Sequence, residues 1–412
     1  MKTIQRSVIV GLIGGTLAIH GMLFWNSWHL ARKGYADFTV FYTAGTIARL
    51  GLGHHLYDPA LQYRVQHSFA AGVQIRNGPL PYLHPPFEAL LFAPLSLLDF
   101  ATAYVVWGAL NLAMVALLFF LLRRHVLILD TVPPLLWLAI WLAFFPVFGC
   151  LFQGQDSILL LLLSALGFRA LKRNADFLAG AWLALGTFKF QFMIPLVLLL
   201  VFWKRRRVGA GFAAAGFVLL LVSAGLVGWD GLFKYPVFVL RLVRGHGIGE
   251  VVPGLMPNLR GLLEGWSLNI SYAGLSTVVI AASVALFVFA WWRGCALPPQ
   301  HFNLQFSLAV IISVLIAWHT NAHDLSLLLL PMVLLADYSR SLLAGAPRRK
   351  WALLIPVAPI LISPLWLVLW LGIGKVNVMA IPLLWWAWEV GKEISRVDSS
   401  APHAGQRLVL LC

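Results

Sequence analysis

The chain has 412 residues, 60% hydrophobic and only 11% charged, with 18 Trp and 27 Phe. That is far from the profile of a soluble globular protein. The net charge of +15 is carried in short loops between apolar runs, a membrane pattern rather than a nucleic-acid-binding one. Three cysteines, at 150, 295 and 412, give neither a paired framework nor metal-ligand spacing.

Apolar runs recur that are long enough to cross a hydrocarbon core of roughly 30 Å. In lipid every backbone polar group must be satisfied within its own segment, so these runs are helices. The expected fold is an all-α, polytopic transmembrane bundle of about ten to twelve segments with helices in its extracytoplasmic loops. Lys2 and Arg6 precede a first run, Ser7 to Trp28. It is read as a retained helix with its N-terminus inside, since no small-x-small cleavage pattern follows it. Residues 30–86 then form an outer loop containing a helical pattern around Tyr42–Arg49 and an amphipathic helix over 59–69. That second helix starts on Pro59 with Asp58 as its N-cap.

Further spans are expected over 101–122, Pro134–Gly149 and Ser157–Leu171. The stretch 177–203 lies between two basic clusters, Lys172-Arg173 and Lys204 to Arg207. An even number of crossings there predicts two short helices meeting near Lys189, loosened by Gly186 and Pro195. Spans follow at 208–228, 272–292, 303–318, 324–337, 351–371 and 377–390, with a second outer loop at 229–271. Residues 1–391 then form one membrane domain, and 392–412 a polar, mobile cytoplasmic tail. In this arrangement 19 of the 30 basic residues lie inside and ten outside, with Lys189 in the membrane, as the positive-inside rule requires. Both termini are then cytoplasmic in a cell (inner) membrane protein, and the polar clusters share the outer face.

Several residues on that face could carry chemistry. Asp37 is either a helix cap or partner of Arg32 or Lys33, or a general base shielded on one side. His319 and His323 are spaced for one helix face, but Thr-Asn-Ala between them and the lack of a third ligand argue against zinc. They are read as phosphate contacts or leaving-group assistants, or as ordinary interfacial histidines. Lys189 is costly in apolar sequence and so functional by default, unless it snorkels from a helix end. Arg260 and His84 could bind an anion or be solvated loop residues. Gln155, in Gln153-Gly-Gln-Asp156, offers an amide to a hydroxyl-rich ligand or serves a turn. No nucleotide-binding signature is present.

Asp37-Phe-x-x-Phe-Tyr-x-Ala-Gly, which contains Tyr42, begins a series of motifs. Leu56-Tyr-Asp58, Tyr82-x-His-Pro-Pro-Phe-Glu, Phe152-x-Gly-Gln, Phe188-Lys-Phe-Gln and His323-Asp324 follow in order. Together they resemble glycosyltransferase family 87, which includes polyprenol-phosphate-mannose-dependent mannosyltransferases. The resemblance runs over about residues 35–335. It implies a C-type glycosyltransferase that moves a sugar, mannose or another hexose, from a polyprenyl-phosphate donor to a glycolipid or glycan acceptor. It also implies that Asp37 is the base, with inversion, and that His323 lies near the donor. Lys189, Arg260, His319, Gln155, His84 and Tyr42 are the expected substrate contacts. No cofactor is expected, and a metal is not needed where the leaving group is a phosphate monoester. A transporter or flippase of lipid-linked glycans is the alternative.

Overall fold

The computed structural model of the chain describes residues 2–73, 80–243, 253–265, 271–295, 297, 299–342, 346–362 and 377–399. Helices dominate these residues, and no strand occurs among them. Arg244 and His246 of the second expected outer loop, the later part of the expected span 351–371 and residues 400–412 lie outside them.

The protein is a polytopic helical membrane protein. Among the described residues, six helical stretches are long and apolar enough to cross a membrane: Ser7–Arg49, Phe100–Leu122, Asp176–Phe202, Arg206–Arg241, Tyr272–Gly294 and Ala322–Ser341. A seventh arises if the bent pair Pro134–Ala143 and Phe145–Gln153 is one span. Of the ten to twelve segments expected, several are broken or too short to be counted among these, and the later part of 351–371 lies outside the described residues. Ser157–Lys172 has 16 residues and Phe302–Ile316 has 15.

Two differences bear on the site. The stretch 177–203 is not a hairpin. Asp176–Leu185 and Phe190–Phe202 run on through a single tightened turn at Gly186–Lys189, and together they make one candidate span. A 3₁₀ turn narrows a helix without reversing it. The sharp bend lies instead within the third expected span, where the two halves meet at 75°. Pro146 explains it, since a proline has no N–H to give the Leu142 carbonyl one turn earlier. His20 Nδ1 lies 3.3 Å from that carbonyl oxygen, and its ring stacks on Phe148 at 4.1 Å. A histidine in an apolar helix thus satisfies the group that the bend exposes.

Other boundaries also shift. The helix expected to end at 228 continues, after a break at Gly228, to Val243. The helix Ala380–Ser399 runs through the start of the expected tail. Its Glu393 is buried and bonded to Tyr338 and Arg349.

The chain divides into two compact units. The first comprises Met1–Leu117, Leu138–Leu159 and Ala214–Val251; the second comprises the remainder. The core of the first unit is aromatic: Phe38, Phe41, Tyr42, Phe92, Phe100, Tyr104 and Trp107 are all buried. The helix Phe38–Arg49 buries nine of its twelve residues there, although it was expected in a loop. The second unit is built around Phe302–Ile316. Thirteen of its fifteen residues are buried, which makes it a central helix apolar on every side. It packs against Leu329–Ser341, Ala380–Ser399, Phe190–Phe202 and Tyr272–Gly294.

Within the second unit, Asp176–Leu185 and the start of Arg206–Val243 meet backbone to backbone. A Cβ on Gly180 would lie 2.0 Å from the Val208 oxygen, and one on Gly211 would lie 1.9 Å from the Phe177 oxygen. Only glycine permits that approach. Gly180→Ala or Gly211→Ala is therefore expected to destabilise the protein by about 1–3 kcal/mol, as overpacking does. Thermal unfolding of the purified protein in detergent measures it.

Candidate functional site

Asp37 precedes Phe38–Arg49, but its side chain makes no capping bond to that helix. Among the described residues it has no ion-pair partner either, so neither bland explanation accounts for it. Two glutamines hold it instead. Gln155 Nε2 donates to Asp37 Oδ2 at 2.9 Å, and Gln153 Oε1 accepts the Asp37 backbone N–H at 3.2 Å. The other carboxylate oxygen has no hydrogen-bond partner among the described residues.

The turn that presents both glutamines is fixed by main-chain chemistry. Phe145–Gln153 ends at Gly154 with φ 65°. The Gln155 N–H returns to the Cys150 carbonyl at 2.9 Å, a Schellman closure that satisfies a terminal carbonyl. Trp107 Nε1 donates to the Gly154 carbonyl and Tyr104 Oη to that of Phe152. A Cβ on Gly154 would sit 2.7 Å from Phe38 Cβ. The glycine thus satisfies both the left-handed turn and the contact with the helix that Asp37 precedes.

A second polar cluster lies in the same unit. His84 Nδ1 is 2.9 Å from Glu88 Oε2 and 3.5 Å from Asp156 Oδ2, with both carboxylates buried. Burial pushes the Glu88 carboxyl up to about 8, with Asp156 adding to the shift and His84 opposing it. At neutral pH Glu88 therefore keeps its proton, which relieves the repulsion between two buried acids. His84, Glu88 and Asp156 offer three ligand atoms within 4.8 Å of one another and could hold a metal ion, which would have to displace that proton. His84 is thus an acid-cluster residue more than a solvated loop residue. Tyr42, by contrast, gives its hydroxyl to the Leu98 carbonyl at 2.7 Å, and its ring packs on Phe69 and Phe100. Asp58 caps Pro59–Ala70 as expected, accepting from the Ala60 N–H at 2.9 Å.

The remaining expected residues gather in the second unit. Lys189 is buried and 2.5 Å from Asp324 Oδ1. It does not snorkel. Asp324 Oδ2 accepts the Asn321 N–H at 2.8 Å, and His323 Nε2 lies 3.6 Å from its Oδ1. Burial holds the His319 imidazole down at about 4; Lys189, His323 and Arg260 push the same way, while Asp324 opposes them. A neutral His319 that accepts at Nε2 from Asn321 (3.3 Å) carries its proton on Nδ1. That nitrogen is buried without a hydrogen-bond partner among the described residues.

Arg260 is also buried, at 1% exposure. Its Nε donates to Glu264 at 2.6 Å, its Nη1 to the Trp318 carbonyl, and its guanidinium stacks 4.6 Å above the Trp318 ring. Nη2 has no partner. Asn258 fastens this arc, donating to Ala317 and Thr320 and accepting from the Gly261 N–H.

Three residues were missing from the sequence-derived site. Asn258 gave no motif. Glu88 stood in plain view at the end of Tyr82-x-His-Pro-Pro-Phe-Glu. Asp324 had a readable signal, since Asn321-x-x-Asp before an apolar run is a capping-box pattern, and that box is formed.

With this geometry described, comparison with known proteins gives one match. The model of glycosyltransferase family 87 matches residues 82–318, more than half of the chain. The chain belongs to glycosyltransferase family 87. No curated protein and no solved structure matches it. As a family 87 member it is a membrane glycosyltransferase. The matched span holds the Tyr82–Glu88 motif, Gln155, Lys189 and Arg260, whereas Asp37, His319 and His323 lie outside it.

Two outcomes test the clusters. Removing Lys189 alone leaves a buried carboxylate uncompensated, so Lys189→Met is expected to cost about 3–5 kcal/mol. Combining it with Asp324→Asn should recover part of that loss, as a double-mutant cycle of unfolding midpoints measures. For Glu88, the folded-state value of about 8 lies above the ordinary value of 4.5. Its contribution to stability is therefore full below about pH 4.5 and is lost as pH rises through about 8. Glu88→Gln, which cannot ionise, should flatten that decline when melting is followed from about pH 4 to about pH 9.

Proposed function

We propose that the protein transfers a hexose, such as mannose, from a polyprenyl-phosphate donor to an acceptor hydroxyl outside the cytoplasm, with inversion. The observation that carries this reading is Asp37: a carboxylate excused from capping and ion pairing, oriented by Gln155, with one oxygen open. Such a group is suited to act as a general base.

In the proposed step, Asp37 takes the proton of the acceptor hydroxyl as its oxygen attacks the anomeric carbon. The new C–O bond forms on the face opposite the donor phosphate. The bond from the anomeric carbon to the phosphate oxygen breaks, and polyprenyl phosphate leaves with the bonding electrons. The protein needs one base, not a covalent intermediate, which fits a single open carboxylate.

The donor phosphate is assigned to Lys189, Arg260, His319 and His323. Arg260 Nη2 and His319 Nδ1 are buried nitrogens without hydrogen-bond partners among the described residues. Donors left bare in a protein interior are costly until an acceptor arrives. A phosphate oxygen supplies that acceptor, and Arg is well shaped to meet it. Asp324 Oδ1 meanwhile holds the Lys189 amine at 2.5 Å. The neutral state of His319 suits hydrogen bonding to the phosphate rather than charge pairing.

The test uses purified protein, a small panel of polyprenyl-phosphate sugars and a membrane extract, with detection of a new glycolipid or glycan. Asp37→Asn is expected to lower the transfer rate by about 10²- to 10⁴-fold, the usual span for loss of a general base, with unchanged melting. An Asn variant that transfers at the wild-type rate removes Asp37 from this role. Movement of the donor across proteoliposomes without glycosidic bond formation would favour the transporter reading instead.

A further inference from the structure

The second unit contains a cavity of about 570 Å³ lined by Phe120, Leu121, Arg123, Arg124, Asp130 and Arg169. Three guanidinium groups face one carboxylate, and that carboxylate is already used. Arg123 donates to Asp130 Oδ1 through both Nε and Nη2, at 3.2 and 2.9 Å. Arg169 reaches the cavity from the end of Ser157–Lys172, and its Nε is buried without a hydrogen-bond partner among the described residues. Nearby His125 also buries its Nε2 without a hydrogen-bond partner among the described residues. Its pKa is pulled down by burial first, and then by Arg173, Lys172, Arg169 and Arg124.

The positive-inside rule explains why short loops collect arginine and lysine. It does not explain buried nitrogens without acceptors. Solvated loop charges keep their water, and a buried donor left bare costs free energy that a bound anion would recover. The walls also say what kind of anion fits. Phe120 and Leu121 lie in the last turns of Phe100–Leu122, and Leu117 and Phe120 are half exposed on a helix apolar enough to span lipid. Leu127, just past the arginine pair, is 70% exposed. A ligand here meets guanidinium groups at one end and an apolar, membrane-facing helix at the other.

We propose that this cavity binds the phosphate-bearing headgroup of an anionic lipid, with Arg124 and Arg169 as its guanidinium contacts and the lipid chain along the Leu117–Leu121 face. The site belongs to neither the Asp37 cluster nor the Lys189 cluster and does not depend on the proposed transfer reaction. Guanidinium pairs phosphate through directed, charge-assisted hydrogen bonds, and basic residues at a membrane edge contribute roughly 1 kcal/mol each toward acidic lipids.

The experiment uses the full chain in nanodiscs or detergent, titrated with phosphatidylglycerol, with phosphatidylcholine, and with inorganic phosphate alone. Binding is read by native mass spectrometry and by thermal shift. The expected result is retention of phosphatidylglycerol over phosphatidylcholine, weakened about fivefold for each arginine removed in Arg169→Gln and Arg124→Gln. Arg124 is exposed, so its variant reports on binding even where Arg169→Gln impairs folding. Glycosyl transfer measured in neutral-lipid micelles should stay at the wild-type rate in both variants. Equal retention of the two lipids, unchanged selectivity in Arg124→Gln, or saturation by inorganic phosphate alone overturns the proposal.

Discussion

The hydrogen bond from Gln155 to Asp37 joins positions 118 residues apart, and much of the first unit serves to keep it in place. Asp37 sits at the start of a helix whose far side is sealed by the aromatic core. Gln155 leaves a left-handed glycine turn whose carbonyls are taken by Tyr104 and Trp107. Each partner is thus fixed by backbone geometry and by rings rather than by its own flexible side chain. A side chain amide aimed by a rigid turn costs less ordering entropy than one aimed by packing alone.

The same economy governs the buried charges. A chain with only 15 acidic residues has few carboxylates to spare, yet it buries Glu88, Asp156, Asp324 and Glu393. Two solutions are visible. Asp324 and Glu393 are neutralised by cations, Lys189 and Arg349, with further donors from Asn321 and Tyr338. At Glu88 burial and the nearby Asp156 raise the carboxyl instead, which favours its protonated form. An ion pair fixes geometry but leaves charge available for electrostatics, whereas a protonated carboxyl becomes a hydrogen-bond donor. The two units therefore carry different chemistries at their polar centres.

Much of this was legible in the residues, and the failures have physical causes. Hydropathy located Phe100–Leu122 and Tyr272–Gly294 to within about two residues, the usual uncertainty of helix ends, because uninterrupted apolar runs leave the backbone no alternative in lipid. The Asp58-Pro59 cap could be read for the same local reason. Hydropathy says nothing about bends, however, so the break at Phe144 was absorbed into a straight span even though Pro146 marked it. The hairpin at Lys189 came from a charge count. That rule is statistical over loops and cannot distinguish a tightened turn from a reversal. Among the candidate residues, Asp37 and Lys189 stood out because charge is scarce. Asn258 did not, because an asparagine in a loop looks the same whether it fastens an arc or faces water.

The ion pair between Arg349 and Glu393 has a consequence for how the protein is made. The two partners lie 44 residues apart, with Glu393 in the helix that ends the described chain. Tyr338 depends on the same carboxylate. During synthesis, Arg349 and Tyr338 emerge before Glu393 does, so this corner of the second unit closes only when the helix Ala380–Ser399 docks. Nascent chains that stop short of Glu393 present an open polar seam, which is the kind of feature by which unfinished membrane proteins are distinguished from finished ones.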